Sequence, residues 1–454
     1  MSIAILKDIR KLSFRKGIHP SDREELSRDQ AIEVLPTPEV VRIPLLQHLG
    51  APSKICIEAR AEVRMGQRIA EASPGLSANI HASVDGKTAR EGLVTLPNGR
   101  RVATLPIKSN SEQGLQGDAL KEVYLGGDWS FDPESLDPAD ISRSTLEAGI
   151  VGMGGAAFPT HIKLAKNEKK PISDILVNGC ECEPYLTADH RLMIESPQSV
   201  IAGSLMVQRA TGAKRVSICI EDNKPKAILA IREAIGDRDI DIKVMKSKYP
   251  QGSEKALTVA ALNRAVPTGG LPLDVGVVVV NVGTAASIAR MVLRGMPLTH
   301  RIVTVTGEGV VQPKNLLVPI GTDFKTLVDA CGGLREDVDI ARIVAGGPMM
   351  GFAITDLETP VTKGTSGITV LTAESIRQEH ASACVRCGMC VDVCPLDLVP
   401  TKLALAARYQ DVNLLNRYHI DACMECGCCA YQCPAGIPLV QLIRSGKILK
   451  RNRK

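Results

Sequence analysis

The segment CVRCGMCVDVCP at 384–395 contains four cysteines in twelve positions. The same spacing returns as CMECGCCAYQCP at 423–434, so both segments have the pattern C-x2-C-x2-C-x3-C-P at an offset of 39 residues. The chain has 14 cysteines, and its first residues lack the long apolar core of a secretory signal peptide. Clustered thiols without such a signal favour metal ligation over disulfides. The pattern therefore predicts an internal repeat that binds metal.

The spacing within each segment suits a cubic four-iron cluster, because three cysteines at intervals of three can reach three corners of one cube. Gly388 and Gly427 allow the backbone to pass close to the inorganic sulfurs. The run resembles that of two-cluster ferredoxins, in which the fourth cysteine ligates the other cluster. That resemblance assigns eight cysteines to two [4Fe–4S] clusters: Cys384, Cys387, Cys390 and Cys433 to one, and Cys394, Cys423, Cys426 and Cys429 to the other. Zinc is the alternative metal, but it favours two CxxC pairs on separate knuckles. Cys428 is interpreted as a small residue packed beside a cluster.

The composition is that of an ordinary globular chain of several domains, with 454 residues, 44% hydrophobic and 23% charged. The net charge of +5 is small and dispersed, which does not indicate nucleic acid. No stretch reaches the roughly 18–20 apolar residues of a membrane span, so a soluble or peripheral protein is expected. The basic tail KILKRNRK is either a solvated C-terminus or a segment attracted to an anionic membrane surface.

The first part of the chain alternates short apolar and polar runs around glycines, which predicts an all-β module at 36–105 after an N-terminal extension at 1–35. Its halves, AEVRMGQRIAEA and ASVDGKTAREG, resemble the barrel-sandwich hybrid of biotinyl and lipoyl carriers. The tip that carries the modified lysine is absent, so a docking or structural role is favoured. Polar residues at 106–138 predict a linker.

The remainder of the chain predicts three further domains, giving a multidomain fold of α/β and all-β parts. Strand and helix patterns alternate over 139–296, which predicts βαβ units and a parallel, Rossmann-like sheet. The pattern at 297–350 is typical of a compact β-grasp, followed by a linker at 351–372. Helical patterns over 373–446 contain the cysteine repeat and predict a ferredoxin-type domain, and 447–454 form the basic tail.

Two segments of the α/β region carry candidate binding residues. GIVGMGGAAFPTHIKL at 149–164 has bare glycine amides before a short helix, which suit a phosphate or a flat ring, although a purely structural turn is the alternative. VNGCECEPYLTADHRL at 177–192 places Asn178, Glu181 and Glu183 just after an apolar strand. Carboxylates at the carboxyl end of a parallel strand commonly line a ligand crevice.

These motifs resemble a known family. GMGGAAFPTHIKL is similar to the glycine loop G-x-G-G-A-G-F-P-T-x-x-K-W of the NADH-oxidising flavoprotein subunit of respiratory complex I, and NGCECEP, YPQGSEKAL and NVGTA follow in that family's order. With the β module and the cysteine repeat, nearly the whole chain resembles the C-subunit family of Rnf ion-translocating electron transport complexes. The segments GIHP, IPLLQHLGAP, GGPMMG and VTKGTSG also fit that family.

The resemblance implies FMN, NAD(H) as substrate, and two [4Fe–4S] clusters in a protein that exchanges electrons between NAD(H) and ferredoxin, coupled to Na+ or H+ translocation. It also implies Rnf-type partner subunits, ferredoxin reached indirectly, and a peripheral place on the cytoplasmic side of the inner membrane. The implied FMN contacts are Gly152, Gly154, Gly155, Lys163, Asn178, Glu181, Tyr249, Gly252, Glu254, Asn281 and Thr284. Phe158 and Glu183 are the implied contacts of the nicotinamide nucleotide, and no protein side chain is expected to act as a catalytic group.

Three residues depart from the complex I pattern. Met153 replaces an arginine, Cys180 an aspartate and Ser253 a glutamate, which puts nucleotide affinity in doubt more than flavin binding. The Cys180/Cys182 pair is interpreted as two small residues beside the flavin, with metal ligation as the alternative. Two other functions stay open: a microcompartment cobalamin reductase-like flavoprotein, and a flavin-free or NAD-independent electron-transfer adaptor.

Overall fold

The computed structural model describes residues 10–165, 169–376 and 380–453. Residues 1–9 of the predicted N-terminal extension and Lys454 of the predicted basic tail lie outside the described residues. In the described ranges, no helix is both long enough and apolar enough to cross a bilayer.

Two small antiparallel sheets form the β module that the sequence predicts near 36–105. The strands of this part of the chain are β1 (Ile32–Val34), β2 (Val40–Pro44), β3 (Lys54–Ile55), β4 (Glu62–Val63), β5 (Arg68–Glu71), β6 (Ile80–His81), β7 (Gly86–Thr88), β8 (Gly92–Thr95) and β9 (Arg101–Ser109). One sheet has the order β2-β9-β7-β4 with β8 paired to β9, and the other has the order β3-β5-β6. Alternate residues of β2, Val41 and Ile43, are buried with Ile69 and Ile107 in one core, as period-two alternation predicts.

The predicted linker at 106–138 is partly ordered structure. It contains the end of β9 and helix α1 (Gly117–Leu125), and its Tyr124 and Trp129 are buried. The guanidinium carbon of Arg294 lies 3.5 Å from the centroid of the Trp129 ring. Polar residues dominate this segment, so its few apolar side chains give no periodic signal of a buried face.

A four-stranded parallel sheet of order β12-β11-β10-β13 is the centre of the α/β domain, as the βαβ pattern predicts. Its strands are β10 (Asp174–Gly179), β11 (Arg215–Glu221), β12 (Asp241–Met245) and β13 (Val277–Asn281). Its helices are α2 (Pro138–Glu147), α3 (Thr160–Leu164), α4 (Ala188–Glu195), α5 (Pro197–Thr211), α6 (Pro225–Ile235), α7 (Glu254–Leu262) and α8 (Val282–Arg294). Ile175 and Val177 of β10 pack in the large core with α5 and α8, while Leu176 packs with Leu257 of α7 on the opposite face. Helices on both faces explain why every residue of β10 is buried.

The next sheet is larger than predicted and has the order β1-β15-β14-β18-β16-β17. Its further elements are β14 (His300–Thr306), β15 (Lys314–Pro319), α9 (Phe324–Ala330), β16 (Ile340–Ala345), β17 (Phe352–Ile354) and β18 (Gly367–Thr372). Strand β18 lies between β14 and β16, so the predicted linker at 351–372 completes the sheet. The N-terminal extension also joins it, because β1 pairs in parallel with β15. Such long-range pairings leave no local sequence signal.

Short helices build the C-terminal part around the cysteine repeat. They are α10 (Met389–Asp392), α11 (Pro400–Arg408), α12 (Val412–Arg417), α13 (Cys428–Tyr431) and α14 (Leu439–Asn452). Helices α10 and α13 occupy equivalent positions of the repeat. Each follows a glycine with left-handed backbone, Gly388 at φ +81° and Gly427 at φ +85°. The predicted basic tail continues α14, and its Lys447 and Lys450 form ion pairs with Glu425 and Asp421. Two of the tail's basic residues are therefore paired within the domain.

Candidate functional site

The glycine loop of 149–159 is attached to the start of α8 at the carboxyl edge of the parallel sheet. The side-chain oxygen of Asn281 accepts hydrogen bonds from the amides of Gly283 at 2.9 Å and Thr284 at 3.3 Å, which caps α8. The Thr284 hydroxyl in turn accepts a hydrogen bond from the amide of Met153 at 2.9 Å. The loop and the helix are thus fixed to one another by two predicted site residues.

The loop presents bare backbone to the edge of the sheet. Gly155 has a φ of +137°, and a Cβ added there would meet no atom within 4 Å. A Cβ at Gly154 would lie 3.3 Å from the Cβ of Asn281. A ligand can therefore approach the backbone at Gly155, which fits a flat or phosphorylated group.

The segment YPQGSEKAL lies against the end of β10. The amide nitrogen of the Asn178 side chain donates to the Gly252 carbonyl at 2.8 Å. A Cβ at Gly252 would lie 2.4 Å from the Cys180 carbonyl oxygen, so only glycine fits there. The predicted residues Asn178, Tyr249 and Gly252 are therefore brought together at one place.

Lys163 does not present a free ammonium in this structure. Its Nζ donates to Glu254 Oε1 at 2.5 Å and to the Val279 carbonyl at 3.1 Å. The same Nζ lies 5.9 Å from the centroid of the Phe158 ring. Lys163, Glu254 and Phe158 are thus neighbours, with the lysine charge balanced by Glu254.

Glu181 is buried and Glu183 is half-buried, and both carboxylates accept hydrogen bonds from backbone amides. Glu181 accepts from the amides of Asp189 at 3.0 Å and His190 at 2.9 Å, at the start of α4. Burial, and secondarily the charge of Asp189, hold the pKa of Glu181 well above its usual range. The sequence predicts a flavin contact for Glu181, and the structure shows that this residue also organises α4.

Glu183 has the same kind of environment on the other side of the site. It accepts from the amides of Met349 at 3.1 Å and Met350 at 2.8 Å, and burial raises its pKa to about 7. A Cβ at Gly347 would lie 2.4 Å from its carboxylate. The loop GGPMMG therefore provides hydrogen-bond donors to the carboxylate that is expected to bind a nucleotide. The sequence alone assigns this loop no chemical role.

The cysteines of the repeat fall into two spatial sets. Cys394 lines one cavity together with Cys423, Cys426 and Cys429, which belong to the second copy of the repeat. Cys390 packs with Cys433 in an apolar cluster that Cys429 of the first set also borders, while Cys384 and Cys387 are exposed. Cys428 lines the same cavity, and the cavity lining therefore contains the four thiols that one iron–sulfur cluster needs. No three His, Cys, Asp or Glu side chains in the described ranges have the spacing for a single metal ion.

Cys394, Cys423, Cys426 and Cys429, together called the Cys394 set, lie in a part of the chain that contacts the α/β domain directly. Ser253 Oγ is 3.1 Å from the sulfur of Met424, and Cys428 Sγ is 4.0 Å from the Tyr249 carbonyl. Ile18 of the N-terminal extension packs with the same residues. Ser253 and Ile18 thus belong to the contact between the two predicted cofactor regions. In the sequence, Ser253 stands out only as a departure from the family pattern, and Ile18 only as part of the segment GIHP.

Four family models match the chain in succession. They are the RnfC barrel sandwich hybrid domain over 12–112, the Nuo51 FMN-binding domain over 146–290, the SLBB domain over 302–353 and the 4Fe-4S dicluster domain over 379–437. These matches confirm the predicted FMN and [4Fe–4S] cofactors and the four kinds of module. The roles of individual residues stay predictions.

Curated relatives match most of the chain. The C subunit of the proton-translocating ferredoxin:NAD+ oxidoreductase complex of Clostridium ljungdahlii is 41% identical over 87% of this chain and 84% of the relative. The Na+-translocating counterpart of Acetobacterium woodii is 40% identical over 86% of each. The C subunit of the ion-translocating oxidoreductase complex of Rhodobacter capsulatus is 40% identical over 98% of this chain and 85% of the relative.

A solved structure of an NAD+-reducing [NiFe]-hydrogenase shares the fold, with a TM-score of 0.51 over 74% of this chain and 66% of that chain. Its sequence identity of 19% limits the likeness to the fold.

Proposed function

This chain belongs to the family of C subunits of Rnf ion-translocating oxidoreductase complexes, and from that premise we propose that it transfers electrons between NAD(H) and the rest of such a complex. Two similar relatives are named as ferredoxin:NAD+ oxidoreductase subunits, one proton-translocating and one Na+-translocating. The complex containing this chain would accordingly couple electron transfer between ferredoxin and NAD(H) to the movement of H+ or Na+.

The glycine loop and the strand ends around it are the proposed FMN site. Bound there, FMN would supply hydride exchange with NAD(H) and one-electron exchange with iron–sulfur clusters. The open space at Gly155 and the capped turn at Asn281 support this assignment. The proposed FMN residues are Gly152, Gly154, Gly155, Lys163, Asn178, Glu181, Tyr249, Gly252, Glu254, Asn281 and Thr284. Phe158 and Glu183 are the proposed nucleotide contacts, and Glu183 would exchange the amides of Met349 and Met350 for polar groups of the nucleotide.

The direct contact between the α/β domain and the Cys394 set carries the proposal. Tyr249 and Ser253 of the flavin domain touch the loop that contains Cys426. The other set has two exposed thiols, Cys384 and Cys387. The contact of the Cys394 set with the flavin domain and the two exposed thiols of the other set support a chain of electron carriers that runs from the flavin toward the surface.

The chain is proposed to act as a peripheral protein on the cytoplasmic side of the inner membrane, held there by other Rnf-type subunits. Ferredoxin would be reached through those partners. Arg444, Lys447 and Lys450 of α14 form ion pairs within the domain, which lowers the charge that this helix offers to a lipid surface. Attachment through partner subunits is therefore favoured over attachment through the basic tail.

An anaerobic NADH titration of the purified, iron-reconstituted chain tests the function. We expect bleaching of bound flavin, followed by reduction of two [4Fe–4S] clusters seen by electron paramagnetic resonance. Protein that holds both clusters and FMN but is not reduced by NADH would contradict the NAD(H) assignment. Acid extraction that releases no flavin would instead support the flavin-free adaptor.

A further inference from the structure

Met153, which stands where the family's glycine loop has an arginine, is a buried apolar residue packed between the loop and α8. Its methyl carbon would lie 3.0 Å from a Cβ at Gly283, and its sulfur is 3.9 Å from Ser287 Oγ. Both neighbours belong to α8, which the loop covers. The loop therefore has no cation of its own at the position where the related motif has arginine.

Arg301, a buried arginine of another domain, contacts the backbone of Met153. Arg301 of β14 donates from Nε at 3.2 Å and from Nη2 at 3.1 Å to the Thr365 carbonyl, and its Nη2 lies 3.5 Å from the Met153 carbonyl. Its side chain is almost completely buried. Burial lowers the pKa of Arg301 to about 10, and the carboxylates of Asp189 and Glu181 oppose that shift.

Asp189 is a second charged residue near this position, and it reaches the next residue of the loop through Asn281. Its Oδ2 accepts from the side-chain amide of Asn281 at 2.5 Å, and Asn281 is the residue against which Gly154 packs. Burial of the Asp189 carboxylate raises its pKa, and the charge of Arg301 is the largest effect lowering it. Arg301 therefore contacts Met153 directly, and Asp189 reaches Gly154 through Asn281.

We propose that Arg301, supplied by β14 of the adjoining six-stranded sheet, is a positioning residue of the FMN site: it holds Met153 through the Met153 carbonyl, Asp189 holds Asn281 beside Gly154, and the arginine provides the positive charge that the loop lacks. The SLBB sheet is then part of the flavin site rather than a separate module. Arg301 and Asp189 are opposite charges that favour each other's ionised form, so removing one charge is expected to cost more stability than removing both. This inference rests on the proposed FMN site.

The test compares FMN affinity and thermal stability of the full chain in four variants. Arg301→Met removes the charge, Arg301→Gln keeps a donor for Thr365, and the double variant Arg301→Met/Asp189→Asn removes both charges. Arg290→Met is the matched control, because Arg290 is also a buried arginine but donates to Ser287 of α8 and to the Tyr124 carbonyl rather than to the backbone of the loop. FMN affinity is measured by quenching of flavin fluorescence.

We expect Arg301→Met and Arg301→Gln to weaken FMN binding on the order of 10- to 100-fold, as loss of a charged hydrogen-bond donor predicts. The double variant should melt closer to wild type than Arg301→Met does. Arg290→Met should lower the melting temperature with FMN affinity unchanged. FMN affinity within twofold of wild type in both Arg301 variants, or an equal loss in Arg290→Met, would overturn the inference. Failure of the wild-type chain to bind FMN would instead reject the proposed site itself.

Discussion

Gly155 is the residue at which the glycine loop is most open to a ligand. Its φ of +137° disfavours any side chain, and an added Cβ would project into free space. We expect Gly155→Ala to cost roughly 1–3 kcal/mol through backbone strain and to weaken FMN binding at least tenfold, because the methyl group occupies the approach to the backbone. Isothermal titration with FMN measures the second effect.

Gly99→Ala is the control for backbone strain. Gly99 also has a positive φ, +79°, and open space at its Cβ, but it lies in the turn between β8 and β9. It should lose stability by a similar amount with FMN affinity unchanged. An equal loss of FMN affinity in both variants would show that strain alone, rather than the position in the loop, is responsible.

Glu183 predicts a pH dependence of stability. Burial raises its pKa from 4.5 to about 7, so the folded protein holds this proton more tightly than the unfolded chain does. The resulting stabilisation is complete below about pH 4.5 and is lost as the pH rises through about 7. The loss amounts to roughly 3 kcal/mol. Glu183→Gln cannot ionise, so wild type should lose stability relative to this variant between pH 5 and pH 8. Parallel melting curves across that range would contradict the assignment.

At the scale of elements, the repeat predicts which cysteines share a cluster. The cavity next to α13 joins Cys394 to the segment of Cys423, Cys426 and Cys429. We expect Cys394→Ala/Cys426→Ala to abolish one cluster and keep the other, with half of the iron retained. Cys394→Ala/Cys387→Ala, which changes two cysteines of the same sequence motif, should damage both clusters. Iron analysis with electron paramagnetic resonance decides, and the reverse result would show that each motif closes its own cluster.

The elements also show what local sequence could and could not predict. Cysteine spacing, the βαβ alternation and the glycine loop are local patterns, and they locate the modules and the candidate residues. Strand β18 pairs with β14 and β16, and β1 pairs with β15. These pairings join strands that are far apart in the sequence, so local patterns predict only a linker at 351–372. The hydrogen bonds from the amides of Met349 and Met350 to Glu183 are likewise contacts between domains, as is the contact of Arg301 with the Met153 carbonyl. No local pattern contains such contacts.

At the scale of the whole molecule, several domains meet at the glycine loop. Lys363, which follows the SLBB strands β16 and β17, is buried and donates to the carbonyls of Asn79 in the β module and Gly149 before the loop. The amide of Leu49 in the β module donates to the Ala157 carbonyl at 3.3 Å. The β module thus contacts the glycine loop and supports it. This agrees with the structural role favoured by its sequence, which lacks the tip that carries a modified lysine in biotinyl and lipoyl carriers.

The N-terminal extension joins the flavin domain to the cluster domain. Ile18 exchanges two backbone hydrogen bonds of 2.9 Å with Tyr249, and its side chain packs with Met424 and Cys426. Loss of a buried isoleucine side chain costs about 2–5 kcal/mol, which here weakens the contact between the two domains. We expect Ile18→Ala to keep FMN, both clusters and flavin reduction by NADH, while reduction of the clusters after the flavin becomes slower. Ile107→Ala, at a fully buried position in the β module, is the matched control and should leave both rates unchanged. Stopped-flow absorbance under anaerobic conditions separates the two phases, and equal slowing in both variants would mean that general destabilisation, not the Ile18 contact, governs the transfer.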